Sequence, residues 1–218
     1  MSAKETAPRG RHAPPLEIRQ DRQRRRLFRA ASVVFARGGY ADATAEAIAR
    51  EAGMSKATFY EHFDNKEDCI VALFDAATEA VLTVMRNAPT PDTEDPATRY
   101  RAAVRGFLGA LAAYPDEAQT LLVEIIGAGP RAMQRRDRVL AAFADFIDQT
   151  NAADAAAGLV PRLASREDAY AIVGAVVELA SLQLRTGQPA EVSELEPVVE
   201  RLIVGLLAAS DSAAPAAA

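Results

Sequence analysis

The 218-residue chain is half hydrophobic and a quarter charged, which excludes a mostly disordered protein. A single cysteine, Cys69, excludes an intrachain disulfide; with His12 and His62 as the only histidines the composition argues against a zinc site, so no metal or cofactor is expected. The net charge of −5 is unevenly spread: residues 1–66 carry 13 basic and 8 acidic side chains, residues 67–218 carry 12 and 22, and a basic end on an acidic body is what meeting a polyanion calls for. No apolar run approaches the ~18 residues of a membrane span and no secretory signal pattern opens the chain, so no membrane partner is expected and a cytoplasmic home fits best.

Residues 1–16, with three prolines and scattered charge, read as a disordered arm. The first helix is expected over about Ile18 to Arg37, where Leu27, Ala30, Ala31, Val34 and Phe35 recur at helical spacing. Arg22, Arg24, Arg25, Arg26 and Arg29 crowd its first half, and Gly38-Gly39 stops it. Thr44 caps a second helix that runs to Ala52, and Gly53 suits the left-handed turn after it. Ser55 caps a third helix through Phe63. Two short helices joined by Gly-Met-Ser have the spacing of a helix-turn-helix.

Asn65 can cap a fourth helix to about Asn87, and Pro89 to Pro96 reads as a loop. Helices are then expected near 97–113, 116–127, 130–156, 166–186 and 194–209, punctuated by Tyr114-Pro115, Gly127 to Pro130, Gly158 with Pro161, and Gly187 to Pro189. The expectation is an all-α chain of nine helices. Residues 17–64 form a helix-turn-helix DNA-binding domain, 65–210 a helical regulatory and dimerisation domain, and 211–218 a disordered tail.

On a helical wheel, Phe59 and Phe63 share the inner face of the third helix, and Ala57 and Glu61 take the opposite one. A small residue in the middle of the outer face lets a helix approach base edges, while Lys56, Thr58, Tyr60 and His62 around it can donate to phosphates or bases. Lys66 stands in the first turn of the fourth helix, where the helix dipole disfavours a cation, a placement that makes sense if a phosphate lies opposite. A solvated amphipathic face is the bland alternative.

The run from Phe35 through Gly38-Gly39-Tyr40, Thr44, Ile48-Ala49 and Glu51 to Phe63, then Lys66-Glu67, resembles the N-terminal domain of the tetracycline-repressor (TetR) family over about residues 20–75. The resemblance implies a dimeric, ligand-responsive transcription factor, usually a repressor. Carried over by position, Thr44, Tyr60, His62 and Lys66 hold phosphates, Ser55 caps the recognition helix, and Lys56, Ala57 and Thr58 lie at the bases. Glu61 falls at a variable position, and Met54 stands where the family often has valine.

In the body, the eighth and ninth helices are apolar almost all round, so both sides should be covered. The resemblance implies that they pair with a second copy in a four-helix bundle, with Val198, Leu202, Ile203 and Leu206 as the stripe. Glu124 and Glu178 sit in otherwise apolar runs. Each is either a polar anchor of an effector cavity or the partner of an arginine such as Arg105, Arg131 or Arg135. The candidate cavity walls are Phe107, Leu108, Leu111, Leu122, Ile126, Phe143, Ile147 and Val177, for a small apolar effector of unknown identity. Cys69 reads as a small core residue. The leading function is a repressor released from palindromic double-stranded operator DNA by that effector. The alternatives are a ligand-free DNA-binding or architectural protein, and a small all-α enzyme for which no catalytic constellation is visible.

Overall fold

The computed structural model describes residues 15–87 and 96–213. Among them are nine α-helices and no strand: α1 Leu16–Asp42, α2 Ala45–Glu51, α3 Lys56–Tyr60, α4 Lys66–Asn87, α5 Pro96–Ala113, α6 Pro115–Leu122, α7 Pro130–Ala156, α8 Arg166–Thr186 and α9 Glu196–Ala213. Two short 3-10 helices, Glu124–Gly127 and Val192–Leu195, follow α6 and precede α9. The all-α class and the order of the nine helices match the sequence reading. The arm before residue 15, the expected loop at 88–95 and residues 214–218 lie outside the described residues.

The boundaries follow from local chemistry. Thr44 Oγ1 accepts from the Ala47 amide at 3.1 Å, Ser55 Oγ from the Thr58 amide at 3.0 Å, and Asn65 Oδ1 from the Asp68 amide at 2.9 Å, each satisfying an orphan N-terminal donor. α1 keeps helical geometry on both sides of Gly39, which itself is non-helical at φ 77°. Only glycine takes that conformation freely, so the kink falls there.

The first helix, expected to stop at Gly38-Gly39, instead runs on through the Gly39 kink to Asp42, and three further boundaries differ. α3 closes after Tyr60, and Phe63 returns its amide to the Phe59 carbonyl at 3.0 Å, because Phe63 must turn into the core. The sixth helix was expected unbroken to Gly127; instead it stops at Leu122 and tightens into 3-10 geometry. The break lets Glu124 reach α1 while Ile125 stays fully buried. At the other end, α9 runs four residues past Ala209, to Ala213.

Three apolar clusters hold the chain together. The largest gathers Leu27, Phe35, Ile48, Phe59, Phe63 and Ile70 from α1–α4 and continues without a gap into Ile125, Ala128, Ala132 and Val139. The second packs α7 and α8 against Val199, Ile203 and Leu207 of α9. The third sets Leu108 against Ala180, Val192 and Leu195. One buried polar hub ties α5, α7 and the segment after α7. Asn151 Nδ2 donates to the Tyr100 hydroxyl at 3.2 Å and the Pro161 carbonyl at 3.0 Å, while its Oδ1 accepts from Arg162 Nη1 and the Leu163 amide, both at 2.8 Å. Asn151→Ala strips these groups of their partners. It is expected to cost about 2–4 kcal/mol, read as a lower urea midpoint with an unchanged slope.

Candidate nucleic-acid interface

The turn between α2 and α3 is a Schellman closure. Met54 donates to the Ala49 carbonyl at 2.8 Å and Gly53 to Arg50 at 3.0 Å, with Gly53 at φ 64°. Behind it, Phe59 and Phe63 stack at 5.5 Å, and Phe28 meets Phe63 at 5.7 Å. Arg24, itself exposed, lays its guanidinium over both Phe28 and Phe63, 5.3 and 5.4 Å from the ring centroids. The core therefore fixes which side of α3 is left over. That side presents Lys56, Ala57, Tyr60 and Glu61 to solvent, with Tyr60 49% exposed.

The other sequence-selected residues divide. Thr44 is exposed and uses its oxygen as a cap, which leaves the hydroxyl proton for another acceptor. Ser55 and Thr58 share a hydroxyl hydrogen bond of 2.9 Å at the start of α3. Lys56 reaches Glu46 at 4.0 Å in an exposed, weak pair. His62 Nε2 lies 3.3 Å from Gln23 Oε1, half-buried against α1.

Lys66 is placed differently from the expectation. Its ammonium donates to the carbonyls of Tyr40 at 2.8 Å, Ala41 at 2.8 Å and Ala43 at 3.1 Å, and lies 4.5 Å from the Tyr40 ring centroid. All three protons serve the orphan carbonyls at the end of α1, so the cation faces the negative end of one helix although it begins another.

Glu124 is the functional-looking residue that sequence reasoning misplaced. Its partners are an amide of α1 and an amide side chain of α6. Its Oε2 accepts from the Tyr40 amide at 2.8 Å and its Oε1 from Gln119 Nε2 at 3.1 Å. Thr120, fully buried, adds a hydroxyl bond of 3.2 Å to the Ser32 carbonyl. Arg131 pairs with Asp68 and Arg135 with Asp75, joining α7 to α4. The helix-turn-helix is thus bonded to the body along α1 and α4.

The body candidates are only partly brought together. Phe107, Leu111 and Leu122 surround Leu108 between α5, α6 and α8, and Leu122, Phe143 and Ile147 pack on the cluster holding Val177. Ile126 is 46% exposed and away from both. Glu178 lies on the surface of α8 and pairs with Arg185 at 3.0 Å. Of the expected dimer stripe, Val198 is 40% exposed and Leu202 and Leu206 are half-buried, whereas Ile203 points into the core. The exposed side of α9 instead carries Val198, Arg201, Val204, Gly205, Ala208 and Ala209, and Leu182 of α8 is exposed as well.

Cys69 is fully buried, and desolvation pushes its thiol up to about 12, which keeps it protonated and inert. Among the described residues no cluster could hold a metal ion, and no helix is long and apolar enough to cross a membrane.

Residues 27–73 match the family profile of the bacterial regulatory proteins of the tetR family. The HTH-type transcriptional activator FasR of Mycolicibacterium smegmatis is 34% identical over 103 residues, 47% of this chain and 47% of that protein, so the likeness spans about half the length of each. The fold is shared with the fatty acid degradation regulator FadR from Bacillus halodurans, at a TM-score of 0.74 and 22% identity over 85% of this chain and 94% of that one. It is shared also with FadR from Bacillus subtilis in complex with stearoyl-CoA, at 0.71 and 19% over 83% and 97%. These similar proteins are described as regulators.

Two measurements test the placement of the charged residues. Lys66→Met is expected to cost about 1–3 kcal/mol in urea unfolding by orphaning the α1 carbonyls; a stable variant that loses only DNA affinity would contradict that role. His62 titrates below its ordinary 6.5, chiefly through desolvation and then the charge of Arg24, while Glu61 pulls the other way. The native state therefore binds its proton less readily than the unfolded chain. Stability from this group is present above about pH 6.5 and lost as pH falls through 6.5 toward the lower folded value. His62→Gln should flatten that part of the urea midpoint against pH.

Proposed function

We propose that this chain, a transcriptional regulator of the tetR family, binds a palindromic operator as a homodimer and is released from it by a small, mostly apolar effector. The observation that carries the DNA-binding reading is the outer face of α3. A small residue, Ala57, is flanked by exposed Lys56, Tyr60 and Glu61 on a helix whose start is fixed by the Ser55 cap and whose back is locked by Phe59. Residues 17–64 are the reading head and 65–210 the regulatory body. Lys56, Ala57 and Thr58 meet base edges. Thr44 and Tyr60 hold phosphates, and His62 contributes a neutral donor.

The exposed apolar residues of α9 support pairing with a second copy, with Val198 and Leu202 at its centre. Gly205 leaves room there for close approach, since nothing lies within 4 Å of where its Cβ would stand. Two recognition helices then read half-sites ~34–36 Å apart. The effector reading rests on the apolar wall around Leu108 and Leu122. Ser181 Oγ donates chiefly to the Val177 carbonyl of its own helix at 2.7 Å and shares that proton with the Leu122 carbonyl at 3.2 Å, a weaker tie of α8 to α6, and α6 lies beside the Glu124 and Thr120 bonds to α1. An effector that separates α6 from α8 can move the head only as far as its preference for the released state allows. Because the Bacillus subtilis fold relative holds stearoyl-CoA, a long-chain acyl-CoA is the first probe. The identity to an activator supports a second reading, in which the effector-bound protein activates rather than releases.

Gel shifts against duplexes selected from a random pool test the first part. Lys56→Ala should change base preference by about 1–3 kcal/mol at one position of each half-site, and Tyr60→Phe should weaken all sequences alike. No preference for any palindrome would sink the reading. Calorimetry with stearoyl-CoA, with and without operator, tests the second. Coupling of ~2–3 kcal/mol weakens acyl-CoA binding about 30- to 150-fold on the operator, and equal affinities would rule that molecule out as an inducer.

A further inference from the structure

Residues 16–26 of α1 precede the segment that the family profile matches, yet they continue the same helix. This stretch contributes little to the core. Every residue from 16 to 22 is exposed, including Leu16 at 60% and Ile18 at 45%. Its chemistry is ordered all the same. Arg19, Arg22, Arg26 and Arg29 recur at spacings of three, four and three, which sets them in one stripe that flanks the face of α1 buried at Leu27 and Ala30. At 1.5 Å per residue the stripe is about 15 Å long.

Two contacts locate the stripe. Arg26 Nη2 donates to the Ala52 carbonyl at 2.7 Å, at the turn between α2 and α3. Gln23 meets His62 just beyond α3. Arg22 and Arg19 therefore continue outward from the helix-turn-helix by one and two turns. Among the described residues no carboxylate pairs with Arg19, Arg22 or Arg29; Asp21 instead takes Arg25 at 3.0 Å. Arg24, on the other flank, is the exception laid over aromatic rings. Like charges three and four apart repel along a helix, and this segment buries no apolar surface that offsets the repulsion. A polyanion laid along the stripe removes it.

We propose that Arg19, Arg22 and Arg29 form a second phosphate-binding strip, which grips the DNA backbone beside the half-site read by α3. The proposal rests on the DNA-binding reading above. The strip supplies affinity and no sequence preference, because it meets phosphates and not base edges.

The test is fluorescence anisotropy across a salt series. The full chain would be titrated onto a duplex that it selects from a random pool and onto a scrambled duplex of the same composition. Arg19→Ala/Arg22→Ala/Arg29→Ala should reduce the slope of log affinity against log salt by about 2–3, at roughly 0.9 per phosphate released. At low salt it should bind both duplexes at least tenfold more weakly and leave their ratio unchanged. The triple lysine variant should restore the slope, and circular dichroism should show equal helicity in all three proteins. An alanine variant with the wild-type slope overturns the strip, as does one whose loss is confined to the selected duplex. A wild-type protein with no preference between duplexes overturns the α3 reading while the slopes still judge the strip, and binding to neither duplex overturns both.

Discussion

The carbonyl end of α1 is the point on which the rest of the molecule depends. A helix end leaves orphan carbonyls, and here three about the end of α1, past the Gly39 kink, converge on the single ammonium of Lys66. One residue into that same end, the Tyr40 amide is taken by Glu124 from a segment 84 positions later in the chain. A cation from the start of α4 and an anion from the end of α6 thus hold one helix terminus from two sides. The kink at Gly39 makes the arrangement possible, since its φ of 77° is a backbone conformation that side chains resist.

The head and body therefore share a core. Ile125, fully buried, completes the cluster begun by Leu27 and Phe35, and Thr120 reaches the Ser32 carbonyl through the same seam. Rigidity here is compatible with control. The α6 segment touching α1 is also tied, more weakly, to α8 through Ser181, so it has a partner on each side. A broken helix at Val123, with 3-10 geometry beyond it, can carry those two sets of bonds at different angles.

Much of the fold was legible in the sequence because its punctuation is local. Thr44, Ser55 and Asn65 bond amides three residues ahead, and Gly53 and Gly39 adopt the conformations that glycine alone tolerates. Phe59 and Phe63 settled which face of α3 remained free. The misplaced residues share one property: their partners are backbone groups or surfaces far along the chain. Lys66 bonds carbonyls 23 to 26 positions back, and a carbonyl carries no residue signature. The signal was present, since a helix end just past Gly38-Gly39 needs a donor and Lys66 is a cation at the wrong end of its own helix. Glu124, an acid in an apolar run, signalled a specific partner but not that the partner was an amide. Glu178 took the arginine alternative, with Arg185 rather than the arginines named; Ile126 was misplaced because periodicity cannot say which flank of an apolar helix faces inward, and the break after Leu122 carries neither proline nor glycine.

The seam at α1 bears on how such a molecule can change over evolutionary time. Recognition and response are commonly pictured as interchangeable parts, exchanged by recombination between genes. Here the apolar cluster of the head is closed by Ile125, Ala128, Ala132 and Val139, and its first helix is finished by a carboxylate from the far side of the join. A head transplanted onto another body would arrive with an open core and an unsatisfied amide unless the new body offered an acid and a set of small apolar residues in register. Substitution on the outer face of α3, whose exposed side chains make only light contacts such as the 4.0 Å pair of Lys56 with Glu46, disturbs far less of the structure than exchange of whole segments would.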